Sequence, residues 1–454
     1  MSDATSSPSS LSASERRQSQ PWYRWYVLSV LLVAYVFNFI DRSILGILTE
    51  PIKLALGVSD TAMGFLGGPA FAVFYTLLGI PVARLADTGV RRNVLAYSVA
   101  IWSFMTAMCG LASNYWQLLA ARIGVAVGEA GGSPPSHSMI SDLFPQNQRA
   151  TALAIYALGI PGGGMLGAFA GGWINEAFDW QTAFMVVGLP GLALALFIRF
   201  CIAEPRRGMS DGIPAAKATV APDAAAASPA VPQSIASVFA HLWSKRSFRY
   251  LALAAACHAF VGYGIGAWSN AFFIRTHGVG TGELGTWALW LGIPALLSTF
   301  MGGWVGDLLS GRDTRWYVWL PCIATVLALP FNVFVYLWDD HVVALLVSIV
   351  PGLLGSMWLA PTFSLTQGLA TLRMRAVAAS IVLFILNILG LGLGPVVTGM
   401  LSDALFAGTD LGGESLRWAL VTVSFVALLA ALFYLLCARH LKADLASVAA
   451  LERT

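Results

Sequence analysis

At 454 residues, with 57% hydrophobic and only 11% charged, the chain is far more apolar than a soluble domain. A formal net charge of +3 gives nucleic-acid binding no electrostatic footing. The five scattered cysteines, each in or at the end of an apolar run, read as packing residues, with neither disulfide nor metal spacing. The composition is that of a polytopic membrane protein.

In chain order, residues 1–21 are Ser-rich and polar and are expected to form a disordered cytoplasmic tail, not a cleavable signal. Apolar runs then fall near 24–48, 60–85, 93–112, 116–138, 149–173 and 181–203. A second set follows near 248–274, 284–307, 316–337, 342–363, 376–402 and 417–438. Each is long enough to cross a bilayer. The expected domains are an N-terminal six-helix bundle at 22–203, a cytoplasmic linker at 204–247, a C-terminal six-helix bundle at 248–440 and a cytoplasmic tail at 441–454. Within the linker, 213–232 is Ala/Pro-rich and flexible in character. Ile235, Val238, Phe239, Leu242 and Trp243 recur at helical spacing and predict a short helix on the inner membrane surface.

Basic residues concentrate in one alternating set of loops, among them Arg91, Arg92, Arg149, Arg206, Arg207, Arg312, Arg315 and Arg439, while the other set has little beyond Lys53, Arg275 and Arg417. The positive-inside rule then puts both termini in the cytoplasm, with the chain in the plasma (inner) membrane. The halves echo one another. Asp87 precedes Arg91 and Arg92 as Asp307 precedes Arg312, and Arg149 opens the fifth run as Arg375 opens the eleventh. Gly163, Gly167 and Gly171 in the fifth run, and Gly390 and Gly394 in the eleventh, are spaced for close helix packing. The predicted fold is an all-α membrane protein of twelve transmembrane helices in two pseudo-symmetric six-helix bundles, read as a monomer.

Four ionisable residues sit inside these runs: Asp41 and Arg42 in the first, Arg122 and Glu129 in the fourth. Each costs roughly 2.5–3.5 kcal/mol at membrane depth if it faces lipid, on the order of 10 kcal/mol together, so they must face protein or a watery cavity. At roughly 1.5 Å per residue, Asp41 and Arg122 reach nearly the same level, and Glu129 lies two turns deeper on the face of Arg122. The expected arrangement is an exchangeable Asp41–Arg122 pair, with Glu129 underpaired except for a down-reaching Arg42. Asp41 and Glu129 are thus candidates for proton coupling. Tyr35, Asn38, Arg42 and Arg122 are candidates for substrate and ion-pair contacts. The loop charges Asp87, Arg91, Arg92, Asp142, Arg149, Asp307 and Arg312 are expected to form a cytoplasmic gate, pairing across the halves and separating when they rock.

Runs seven to twelve carry few interior polar groups, chiefly His258, Asn270, Asn332, Gln367 and Asn387. His258, like His137, is read as a hydrogen-bonded packing residue. Cationic groups in one half and apolar walls in the other suit an amphipathic substrate, with a small organic anion or drug as the alternative. The chain has no G-x-S-x-G, no H-E-x-x-H and no paired intramembrane aspartates, so an enzyme, a metal or a cofactor has no parts to work with.

With Asn38-x-x-Asp41-Arg42, Arg122-x-Gly124-x-x-x-Gly128-Glu129-Ala130 and Ser141-Asp142-Leu143-Phe144-Pro145 before Arg149, the chain resembles the major facilitator superfamily over residues 22–440, and within it the spinster-type transporters. The loop after the second run departs from the superfamily pattern, with Ala83 and Thr88 where Gly and Arg are usual. The resemblance implies the major facilitator fold and a secondary transporter, symporter or antiporter, proton-coupled in many relatives, with lysolipids or sphingoid phosphates as substrates of eukaryotic spinsters. The expected partners are membrane lipids, protons and a small amphipathic or anionic substrate.

Overall fold

The computed structural model describes residues 20–210, 234–371, 374–407 and 414–451. Residues 1–19 of the expected N-terminal tail, the Ala/Pro-rich linker and the last three residues lie outside them, and Pro21 already opens the first helix. Every regular element among the described residues is a helix. Ten helical segments are long and apolar enough to cross a membrane. The more polar third and fourth positions are filled by Arg91–Cys109 and by Tyr115–Glu129 with Ser133–Leu143, completing twelve spans.

The first span, Pro21–Leu56, opens with proline at its first turn and closes on Gly57 at φ 62, the left-handed conformation that ends helices and that glycine adopts without a Cβ clash. Its first residue marks the termini face of the molecule, and Leu56 reaches the opposite, distal face. Several spans are broken helices. The second is Asp60–Gly67 followed by Pro69–Thr88, and the fifth is Gln146–Ala157 followed by Gly159–Ala177. The sixth is Trp180–Cys201, the seventh Arg246–His277 and the eighth Thr281–Ser310. The eleventh passes from Arg375–Ile385 through a π-helical stretch, Leu386–Gly392, into Leu393–Ala407. The twelfth, Ser415–Leu451, continues as helix past residue 440. The segment Ile235–Ser244 is helical, burying Val238 and Leu242 while Ile235, Phe239 and Trp243 stay exposed.

The glycines set which helices touch. A Cβ on Gly163 would lie 2.6 Å from Cβ of Phe39, and one on Gly171 would lie 2.7 Å from Cγ1 of Ile44, so the fifth span presses directly on the first. In the other half, a Cβ on Gly390 would lie 2.6 Å from that of Ala259, and one on Gly394 would lie 2.6 Å from the Phe260 carbonyl oxygen, joining the eleventh span to the seventh. Glycine at these places trades side-chain packing for backbone approach, the usual exchange where helices bury in lipid.

The buried apolar side chains form two bodies. One runs through the N-terminal half and continues into Trp268, Phe272, Phe273, Leu284, Tyr336 and Leu420 at the distal ends of the C-terminal spans. The other, around Val238, Phe248, Leu251, Trp358, Leu369, Tyr434 and Leu441, belongs to the C-terminal half toward the termini face. The halves therefore share a core distally and keep separate cores at the termini face.

Candidate functional site

The Gly163–Gly171 stripe holds the first span so that Asn38, Asp41 and Arg42 turn toward the fourth. Asn38, Asp41, Arg122 and Glu129 are each at least 95% buried. Glu129 is paired: its Oε2 accepts from Arg42 Nε at 2.6 Å. Arg122 reaches the first span too, but Nη1 donates to the Asp41 backbone carbonyl at 3.3 Å, not to the carboxylate. The expected Asp41–Arg122 carboxylate pair is therefore not formed, while the contact of a down-reaching Arg42 with Glu129 is. The side chain of Arg42 spans the depth difference that two helical turns impose, and it takes the partner that spacing alone left open.

One Asp41 carboxylate oxygen (Oδ1), Arg122 Nε and Glu129 Oε1 are buried without a hydrogen-bond partner. Unsatisfied buried polar atoms are costly, and here three of opposite formal charges gather in one place. Three aromatic rings box the Arg42 guanidinium, with centroids at 5.0 Å for Phe39, 4.9 Å for Phe71 and 4.6 Å for Tyr75; Arg122 lies 5.4 Å from Phe71. These are cation–π distances. Tyr35 stacks on Tyr156 at 4.2 Å, and both line a cleft of about 10 Å³ with Asn38, Trp102 and Ser136, room for about one water. Phe71, Tyr75 and Tyr156 were not singled out in the sequence. The signal lay in an aromatic pair four residues apart on a second span that must face the first.

His258 is fixed by packing: its Nε2 lies 3.0 Å from the Gly355 carbonyl oxygen and its ring 5.0 Å from Trp358.

The loop charges at the termini face find partners inside their own half. Arg91, almost fully buried, bonds Asp142, Glu204 at 2.8 Å and Ser138 at 2.8 Å, and Asp142 also accepts from the Gly208 N–H. Arg92 donates its backbone N–H to Glu204, and Arg149 bonds Ser210 and the Phe144 carbonyl oxygen. Asp307 accepts from Tyr317 at 2.7 Å. Asp87 and Arg312 stand exposed. In this conformation the cross-half pairs expected of these residues are not what holds the molecule together.

Bonds between the halves lie on the distal face. Arg275 of the seventh span pairs with Glu50 at 2.6 Å and with Asp60 at 2.9 Å. Lys53 and Ser402 also meet Asp60, at 2.7 and 2.6 Å. Asp403 of the eleventh span accepts the backbone N–H groups of Asp60 and Thr61, capping the second span from the other half. Its counterpart is Glu176 of the fifth span, which accepts the N–H of Gly282 at 2.7 Å at the start of the eighth. The same device, a carboxylate of one half on the helix N-terminus of the other, appears twice in pseudo-symmetric positions. It satisfies orphan N–H groups and meets the positive end of the helix dipole.

Comparison with known proteins places this architecture. The model for the Major Facilitator Superfamily matches residues 31–395. The chain is 32% identical over 427 residues to an MFS-type efflux pump of Mycolicibacterium smegmatis, covering 94% of this chain and 95% of that one. It is 30% identical over 207 residues to protein spinster of Drosophila melanogaster, covering 45% of this chain and 33% of that one. A crystal structure of a bacterial homologue of the human lysosomal transporter spinster, inward-facing and unoccupied, matches with a TM-score of 0.84 at 30% identity, over 94% of this chain and 99% of that one. The chain belongs to the Major Facilitator Superfamily, where it resembles the spinster-type members in sequence and structure; it is a membrane transporter and not an enzyme.

Proposed function

We propose that this protein is a proton-coupled, alternating-access carrier of an amphipathic organic molecule with an anionic or zwitterionic head, resident in the plasma (inner) membrane with both termini cytoplasmic. The observation that carries this is the buried charge cluster with its unsatisfied Asp41 Oδ1, Arg122 Nε and Glu129 Oε1. Charge buried at membrane depth serves function by default, and these atoms leave a place where a proton or a ligand group can add. Arg122 and the boxed Arg42 supply cationic groups for the head, and the apolar C-terminal half supplies walls for a tail. Asp41 and Glu129 trade between proton and arginine as the halves rock. The loop basics support the orientation. With that orientation, the distal bonds leave the carrier closed to the outside and facing inward.

Flux tests it. Proteoliposomes loaded with the protein should take up a fluorescent lysophosphatidylethanolamine faster under an inward proton gradient than without one. Equal rates with and without protein would reject the lysolipid class. The second reading, export of a small organic anion or drug, is favoured by the likeness to an efflux pump over nearly the whole chain. It predicts that small soluble anions outcompete the lysolipid.

A further inference from the structure

Where the fifth and eighth spans meet at the distal face, Trp173, Glu176, Glu283, Thr286, Trp287 and Trp290 line an open-sided groove of about 630 Å³, a volume in the range of small-molecule sites. None of these residues belongs to the buried charge cluster. The lining is three indoles, two carboxylates and a hydroxyl, with no cation among them.

The polar edges of this lining are in part already spoken for. Trp173 Nε1 donates to the Thr286 hydroxyl at 3.0 Å, and that hydroxyl donates to the Gly282 carbonyl oxygen at 3.0 Å. Glu176 Oε2 takes the Gly282 N–H. Glu283, about half exposed, lies 3.5 Å from His341 Nε2. Indole faces carry negative potential and attract cations, and the two carboxylates add charge of the same sign. An anion is repelled by both. Trp290, 67% exposed, sits seven residues on from Glu283, about 10 Å along the helix, so the carboxylates mark the distal rim and the apolar surface runs toward the bilayer interior.

We propose that this groove binds an amphiphile with a quaternary or protonated alkylammonium head, the head between the carboxylates and the indoles of Trp173 and Trp287, the tail along Trp290. Trp173 and Glu176 come from one half and the other four residues from the other. The complete pocket therefore exists only with the distal ends together, and its occupant stabilises that state.

The probe is tritiated dodecyltrimethylammonium, its binding to the purified full chain in neutral maltoside micelles measured by scintillation proximity. Saturable binding is expected, displaced by the unlabelled cation and not by dodecanol, which has the tail without the charge. Glu283→Gln and Trp290→Leu, both at exposed side chains, should each weaken it about threefold. Arg275→Gln, which takes the cation out of the distal network, should weaken it as well. Lys442→Ala, at the termini face and outside both sites, should leave it unchanged. Non-saturable uptake, equal displacement by dodecanol, or unaltered binding in the Glu283 and Trp290 variants would overturn the proposal.

Discussion

The two faces of the molecule use the same residue types to opposite ends. At the termini face, Arg91 gathers Asp142 and Ser138 of the N-terminal half and Glu204 at the first residue of the linker, bonds that survive any movement of one half against the other. At the distal face, Arg275 joins Glu50 and Asp60 across the halves, and Asp403 and Glu176 each cap a helix of the opposite half. Those bonds exist in one arrangement only. The first set builds a rigid half; the second selects a conformation. At these two faces a charge pair therefore acquires its meaning from which bodies it joins, and not from its burial or length.

Removing Arg275 breaks this contrast most severely. Arg275→Gln leaves Glu50 and Asp60 buried beside Lys53 and the Ser402 hydroxyl, and truncating one partner of a buried pair costs about 3–5 kcal/mol. Spin labels at Phe178→Cys and Asp339→Cys, in a Cys201→Ser background, should report a distal face shifted from closed to largely open. A distance distribution like that of the parent would remove Arg275 from the gate. Glu176→Gln keeps the acceptor that the Gly282 N–H needs and loses only charge at a helix start, an effect of about 0.3–1 kcal/mol, whereas Asp403→Asn puts an NH2 in place of one of two accepting oxygens and loses a hydrogen bond too. The same labels should show a partial shift for both, larger for Asp403→Asn; no shift in either would remove the two caps from the gate. Asp87→Asn should move the balance toward the state open at the termini face, read by thiol labelling there; no change would remove Asp87 from the cytoplasmic gate.

The smallest effect is expected at the termini face. Asp313 is held well below the usual carboxylate range by hydrogen bonds from Arg315 and then from Lys442. A lowered folded-state value means a contribution present above the ordinary aspartate range, about pH 4, and lost as pH falls through the lower folded value. The side chain is about a fifth exposed, and all three residues belong to the C-terminal half or the helix that continues from it. Lys442→Ala should leave both the label distances and thermal stability near neutral pH unchanged, and a conformational shift would mean that within-half pairs also select states.

The sequence made the twelve-span plan legible because apolar run length is a one-dimensional signal, and it located Asp41, Arg42, Arg122 and Glu129 because charge at bilayer depth demands explanation. It did not decide their pairing. Helical rise fixes backbone heights, whereas the long Arg42 side chain covers the two-turn offset to Glu129 and leaves Asp41 to present its carbonyl oxygen to Arg122. The aromatic box of Phe39, Phe71 and Tyr75 was hidden for a related reason, since aromatic residues in a lipid-facing helix and in a cavity wall look alike in a string. The distal network was the largest omission. Glu50, Asp60 and Asp403 sit at helix ends, where charge is ordinarily solvated, and only the approach of the two halves turns them into partners.

At the centre of the proposed transport cycle, Glu129 exchanges Arg42 for a proton. The most direct measurement follows the distal label pair as a function of pH, without substrate, in the parent and in Glu129→Gln. In the closed structure Glu129 is paired with Arg42, so acidification should populate the distal-open state in the parent, and Glu129→Gln, which mimics the protonated form, should hold that state at every pH. If the variant kept the parent's pH response, Glu129 would not be the group that couples protons to motion.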